Sequence, residues 1–203
     1  MRPHVITLVL SIGATAAYLA YRALDFDRAS TSTNAEAQLA EASSEARLVE
    51  SLPEFVLDDL AGNPTSISSW PDMPLVINFW ATWCAPCLRE IPLLKAYQED
   101  HSSLQVIGIA IDRVDPVVAF AEEMQFNYPV LVGPDAMNAA GAFGVDFVAM
   151  PFTVFTSAAG NVLGVHTGEL HTEHLEEYSA VLEGLRTGAI DTQTARARLA
   201  GRM

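Results

Sequence analysis

The sequence predicts an α/β fold in which a central strand delivers a pair of cysteines to the head of a helix. Three observations carry this reading. The apolar run Leu75 to Trp80 reads as a short buried strand, and it leads into a pattern with Leu88, Ile91, Leu94 and Tyr97 at helical spacing. Cys84 and Cys87, the two cysteines of the chain, sit at that joint. A second apolar, β-branched run, Gln105 to Ile111, has the composition of a parallel strand buried on both faces.

The joint is where the chemistry belongs. Pro86 has a fixed φ and no amide hydrogen, so it suits the first turn of a helix and puts Cys84 at or beside the helix N-terminus. There a thiolate meets unpaired backbone N–H groups and the positive end of the helix dipole, which lowers a thiol pKa. Cys87 falls on the same helical face, one turn deeper. The pair can therefore close into a disulfide and reopen, the attacking thiol outside and the resolving thiol within. A bare C-x-x-C also fits half a zinc site, but one set between a strand and a helix and flanked by Trp80 and Trp83 points to redox chemistry. Pro92 inside the helical pattern predicts a kink.

The run Phe79 to Cys87, Phe-Trp-Ala-Thr-Trp-Cys-Ala-Pro-Cys, followed by Arg89-Glu90-Ile91-Pro92, resembles the TlpA/ResA branch of the thioredoxin-like family, whose members are exported thiol-disulfide oxidoreductases. The resemblance implies a thioredoxin-like fold with an N-terminal β-hairpin and a central insertion. It implies catalysis by Cys84 and Cys87, supported by Trp83 and Pro86, with neither cofactor nor metal in the domain. It places a cis proline at Pro151, so that Met150 and Pro151 would offer a backbone edge to an extended substrate chain. Thioredoxins bury an aspartate six positions before the first cysteine, and this chain has Asn78 there. An amide cannot take a proton, so an acid serving the inner thiol would come from elsewhere, with Glu90 and Asp112 the candidates near in sequence.

In chain order, Val5 to Tyr21 carries no charge and is bracketed by Arg2 and Arg22. At a rise of about 1.5 Å per residue it is near the lower limit for crossing a bilayer. Residues 1–24 read as a membrane anchor; the competing reading is a signal peptide cut near Ala14-Thr15-Ala16. The anchor reading places the protein on the periplasmic side of the inner membrane on a single N-terminal span, and cleavage would leave it soluble in the periplasm. Residues 25–50, rich in Ala, Ser, Thr and Glu, read as a linker. The thioredoxin-like domain is expected over 51–186.

Within it, Glu54 to Leu57 and Thr65 to Ile67 read as a hairpin around the turn cluster Asp58 to Asn63. After Gln105 to Ile111, Asp115 is expected to cap a helix with Pro116 first and Val117, Phe120, Ala121 and Met124 on its inner stripe. Tyr128 to Val132 reads as a short strand and Asp135 to Phe143 as an Ala-rich helix, the pair resembling the family's insertion. Phe152 to Phe155 and Asn161 to Thr167 read as a closing hairpin. A last helix is expected from a Thr172 cap to Gly188, with Leu175, Tyr178, Leu182 and Leu185 inward, and the tail 187–203 as a marginal surface helix.

A net charge of −14, with 11 Lys and Arg against 25 acids, argues against nucleic acid. Protein disulfides are the expected substrates. No glycine-rich nucleotide motif is present, so electrons would arrive by thiol exchange, and the resemblance implies a membrane donor of the DsbD/CcdA type. The alternative is a copper-binding or delivery module in which Cys84 and Cys87 hold soft Cu(I) with Met150. His171 and His174, at i and i+3, read as plain surface residues rather than metal ligands.

Overall fold

Strict alternation along one strand sets the architecture. In the computed structural model, which describes residues 49–144 and 149–201, Leu75–Trp80 is a strand with every residue buried. Leu75, Ile77 and Phe79 enter one core; Val76 and Trp80 enter the other, and Asn78 lies in phase with them. A strand apolar on both faces must be covered on both, and the rest of the chain does this.

Among the described residues the strands are β1 (Val56–Asp59), β2 (Pro64–Ser66), β3 (Leu75–Trp80), β4 (Gln105–Ala110), β5 (Val130–Val132), β6 (Phe152–Thr156) and β7 (Val162–Thr167), in one sheet ordered β2-β1-β5-β4-β3-β6-β7. The β3–β4 and β4–β5 pairs are parallel, and β1–β2, β1–β5, β3–β6 and β6–β7 are antiparallel. The helices are α1 (Ala85–Asp100), α2 (Val114–Met124), α3 (Ala136–Gly141), α4 (Thr172–Thr187) and α5 (Thr192–Ala200). One core joins the inner faces of α1, α2, α4 and α5 to the sheet; the other lies under α3 and the N-terminal hairpin, with Phe79 stacked on Phe152 at 4.2 Å between ring centroids. This is a thioredoxin-like α/β fold on a mixed sheet. The expected anchor, and the linker through residue 48, lie outside the described residues. Among those described, no helix is long and apolar enough to cross a membrane.

Four expectations are corrected. The N-cap of α2 is Arg113, not Asp115, and Pro116 stands third in the helix. The helix starts at Val114, two residues earlier than expected, and Pro116 still falls where its missing N–H would have had no helical partner. The cap of α4 is His171 rather than Thr172: the His171 N–H donates to His174 Nδ1 at 3.0 Å, while the His174 N–H returns to the His171 carbonyl. The hairpin strands begin or end one to two residues away from their expected positions, because Asp59 draws the turn tight by accepting the amides of Ala61 and Asn63. The tail is no marginal surface helix: Asp191 caps α5 through the Thr194 amide, and Ala195 and Leu199 are fully buried. The helix is short and mostly polar, so its periodicity hid the two apolar residues that matter. Pro92 lies within the unbroken span of α1.

Candidate redox site

Cys84 is the N-cap of α1, in extended backbone conformation, and Ala85 and Pro86 are the first two helical residues. The β3 chain leaves the sheet through a tight turn closed by the Cys84 N–H on the Ala81 carbonyl at 3.2 Å. Cys84 Sγ accepts the Cys87 amide at 3.3 Å, so a backbone donor already points at the outer sulfur. Cys84 and Cys87 are joined in a disulfide with a Cα–Cα distance of 5.3 Å. Cys84 keeps 5% exposure and Cys87 none. The two residues thus differ in access, Cys84 slightly exposed and Cys87 sealed.

Behind the pair lies a polar cluster in an otherwise apolar layer. Asn78 projects from β3 and donates to Glu90 Oε1 at 2.7 Å and to Thr153 Oγ1 of β6 at 3.0 Å. Glu90, three residues beyond Cys87 on α1, has only 1% exposure, and its Oε2 accepts the Leu170 amide at 2.7 Å. Burial pushes the Glu90 carboxyl up to about 7, against the opposing pull of the bonds from Leu170 and Asn78. Asn78 therefore holds an acid in place from the position where thioredoxins carry one. Asn78 Oδ1 is buried and has no partner among the described residues.

Asp112 is a different kind of carboxylate. Its Oδ2 accepts both the amide and the hydroxyl of Thr82, and Oδ1 accepts the Arg113 amide. Partial burial works against its charge, but these bonds outweigh it and hold the carboxyl below its ordinary value. Of the two acids named from the sequence, Glu90 stands behind the cysteines, while Asp112 ties down the turn in front of them.

The Met150–Pro151 bond is cis. Pro151 directly precedes β6, whose Phe152 pairs with Phe79 of β3, so it lies beside the end of the strand that leads to the cysteines. Its carbonyl is taken by the Gly168 amide. Trp83 is 68% exposed next to Cys84, whereas Trp80 is 1% exposed and packs between Phe120 and Phe126. Lys95 donates to the Met124 carbonyl and Arg89 pairs with Glu169, so both cations are engaged away from the sulfurs. The Arg89–Glu169 pair and the Leu170–Glu90 bond join residues eighty positions apart, a link with no short-range signal in the sequence. Among the described residues, no group of three or more His, Cys, Asp or Glu is arranged to hold a metal ion.

Known proteins place this arrangement. The Redoxin family profile matches residues 49–182. The thiol-disulfide oxidoreductase ResA of Halalkalibacterium halodurans is 27% identical over 141 residues, covering 68% of this chain and 78% of the relative. The ResA protein of Geobacillus kaustophilus is 29% identical over 129 residues, 62% of this chain and 72% of the relative. Among solved structures, a secreted thiol-disulfide isomerase from Corynebacterium glutamicum superposes with a TM-score of 0.59 at 25% identity, over 64% of this chain and 84% of that one. A thioredoxin-family thiol:disulfide interchange protein from Chlorobium tepidum gives 0.57 at 26% identity, over 69% of this chain and 97% of that one. With a profile that spans well over half its length and a C-x-x-C pair heading α1, the chain belongs to the Redoxin family, as an oxidoreductase of the thioredoxin-like type.

Proposed function

We propose that the protein is an exported protein-disulfide oxidoreductase that works as a reductase through Cys84 and Cys87. One observation carries the reading: a slightly exposed cysteine caps α1, its disulfide partner is sealed, and a buried carboxyl waits one turn further along the same helix. In the reduced protein the Cys84 thiolate, favoured by the Cys87 amide and the helix N-terminus, attacks one sulfur of a substrate cystine. The substrate S–S bond breaks, its far sulfur leaves as a thiolate and takes a proton, and Cys84 is held in a mixed disulfide. Cys87 then loses its proton and attacks Cys84 Sγ. The second substrate thiol is expelled and the Cys84–Cys87 disulfide forms. Two electrons and two protons have passed to the substrate. Glu90, with a carboxyl near 7, is suited to take the Cys87 proton; Asp112, held ionised at lower pH, is too weak a base.

In this reading Trp83 and Pro86 support the pair, and Met150 with Pro151 forms the edge on which substrate backbone is laid. Residues 1–24 anchor the chain to the inner membrane, 25–50 give reach, and the domain over 51–186 works on the periplasmic side. A membrane dithiol donor of the DsbD/CcdA type restores the reduced pair.

The test combines trapping with a potential. Cys87→Ser should freeze a mixed disulfide on Cys84 that mass spectrometry detects with a cystine peptide, and Cys84→Ser should not. Equilibration with glutathione should give a potential near the thioredoxin end of the known range, about −270 mV. A value near −120 mV would reverse the direction and make the protein an oxidant. Stoichiometric, tight binding of Cu(I) in an anaerobic titration, with no disulfide turnover, would replace this reading by the copper module.

A further inference from the structure

Between β7 and α4 the segment Thr167 to His171 is bonded to the redox site three times. The Gly168 N–H donates to the Pro151 carbonyl at 2.8 Å, Glu169 takes the Arg89 guanidinium, and the Leu170 N–H donates to Glu90 Oε2 at 2.7 Å. One short segment thus holds both the proline before β6 and the buried acid that follows Cys87.

Imidazoles join the two ends of this segment. His166, the last buried residue of β7, and His174, in the first turn of α4, have ring centroids 4.1 Å apart. His166 Nε2 reaches the Glu169 carbonyl at 3.3 Å, and the His171 N–H donates to His174 Nδ1 at 3.0 Å. These bonds settle where the ring protons are. A carbonyl only accepts, so His166 carries its proton on Nε2; His174 Nδ1 accepts an amide, so it carries none. His166 is 7% exposed, and its Nδ1 is buried with no partner among the described residues. A proton added to His174 lands on Nδ1 and turns the acceptor of the His171 amide into a donor. A proton added to His166 charges a buried ring packed against another imidazole. Either one undoes a closure.

We propose that His166 and His174 are positioning residues for the proton path: while neutral they hold the Thr167 to His171 segment closed on Pro151 and Glu90, and proton uptake by the pair releases it. This rests on the oxidoreductase reading above. Burial, and then the His174 ring, holds the His166 pKa below its ordinary value, with the Glu169 carbonyl opposing and His171 adding. Burial also lowers His174, against the pull of Glu173 and with the help of His171. On the neighbouring elements Arg89 is paired with Glu169 and Arg198 with Glu177, while Arg196 is bonded to the Val162 and Glu50 carbonyls. β6, which pairs with His166 through Thr153, carries no titratable side chain. The pair is therefore neutral at pH 7 and takes up its proton in the acid range, where the segment loosens and the resolving step slows.

The experiment follows amide hydrogen exchange of the oxidised full chain at about pH 7.5 and about pH 5.5, each corrected for the intrinsic rate. Gly168 is the clean reporter, because its acceptor is a carbonyl, whereas the acceptor of Leu170 itself takes a proton near neutrality. Protection of Gly168 should fall about tenfold in acid while that of β3 stays put. His174→Gln, whose amide oxygen accepts the His171 N–H and cannot be protonated, should keep Gly168 protected at both values. His174→Ala should lose that protection at both; if it fails to fold, the wild type and His174→Gln still decide. At about pH 5.5 the mixed disulfide on Cys84 should resolve about tenfold faster in His174→Gln than in the wild type. Loss of protection at Leu170 alone, or equal resolution rates in the two proteins, would overturn the latch and leave the oxidoreductase reading intact. A wild type that resolves no mixed disulfide at either pH takes that reading down, whatever Gly168 does.

Discussion

At the scale of single residues, the cysteine pair and the missing acid at position 78 were legible, and which of the two nearby acids is buried was not. The C-x-x-C pair and Pro86 announce a helix cap, and Cys84 is that cap. Asn78 at the thioredoxin aspartate position says that the acid is displaced, but sequence distance cannot choose between Glu90 and Asp112. What sets Glu90 apart is Leu170, eighty residues away, whose amide donates to the buried carboxyl. Side chains three apart on a helix lie about 5–6 Å apart at Cβ, so Glu90 is within reach of the Cys87 proton directly or through one water. Glu90→Gln keeps the shape and removes the titration. It should slow resolution of the mixed disulfide about a hundredfold and abolish the inflection near pH 7. Single-turnover release of product thiol, followed against pH, reads both. An unchanged rate and an unchanged inflection would remove Glu90 from the proton path.

At the scale of elements, the strands apolar on both faces could be read from their unbroken apolar runs, and the two hairpins from turn clusters with Gly, Asp, Asn and Ser. Caps were harder. Asp115 and Thr172 look like capping residues, but Arg113 starts α2 without a side-chain cap bond, and at α4 the His174 imidazole accepts the His171 amide where a capping box uses a carboxyl. The last helix was misjudged for a related reason. Only Ala195 and Leu199 of α5 are fully buried, too few to give a periodic signal. Its docking is reinforced by Arg196, which donates to the carbonyls of Val162 and Glu50. Deleting a buried leucine side chain costs about 2–5 kcal/mol when the site cannot collapse. Leu199→Ala should therefore lower the midpoint of a single cooperative urea transition. If α5 instead detaches on its own, the midpoint stays put and only the amides of residues 192–200 lose protection from hydrogen exchange.

At the scale of the whole molecule, two buried titrating groups make stability depend on pH in opposite senses. Glu90 is raised from its ordinary 4.5 to about 7 by burial, so between those values the folded chain holds a proton that the unfolded chain has released. Its contribution is fully present below about 4.5 and is lost as pH rises through 7, and its whole span is at most about 3 kcal/mol. His166 acts in the opposite sense. Burial first, and then the neighbouring His174 ring at 4.1 Å, hold its pKa below 6.5, with His171 adding to the effect and the Glu169 carbonyl opposing it. The unfolded chain is therefore the better proton acceptor just below pH 6.5, and stability falls as pH drops through that region. The two trends oppose each other just below pH 6.5, so thermal midpoints should change little there and fall as pH rises from 6.5 through 7. The two contributions separate by substitution. Glu90→Gln should abolish the fall between pH 6.5 and 7 and uncover a loss of stability as pH drops below 6.5, and His166→Gln should turn the level stretch below pH 6.5 into a continued fall with rising pH. Midpoints measured from pH 5 to 8 for the oxidised protein decide it. If Glu90→Gln leaves the loss of stability above pH 6 as steep as in the wild type, the carboxyl behind Cys87 is not the group that holds a proton near neutrality, and the proton path drawn through it fails with it.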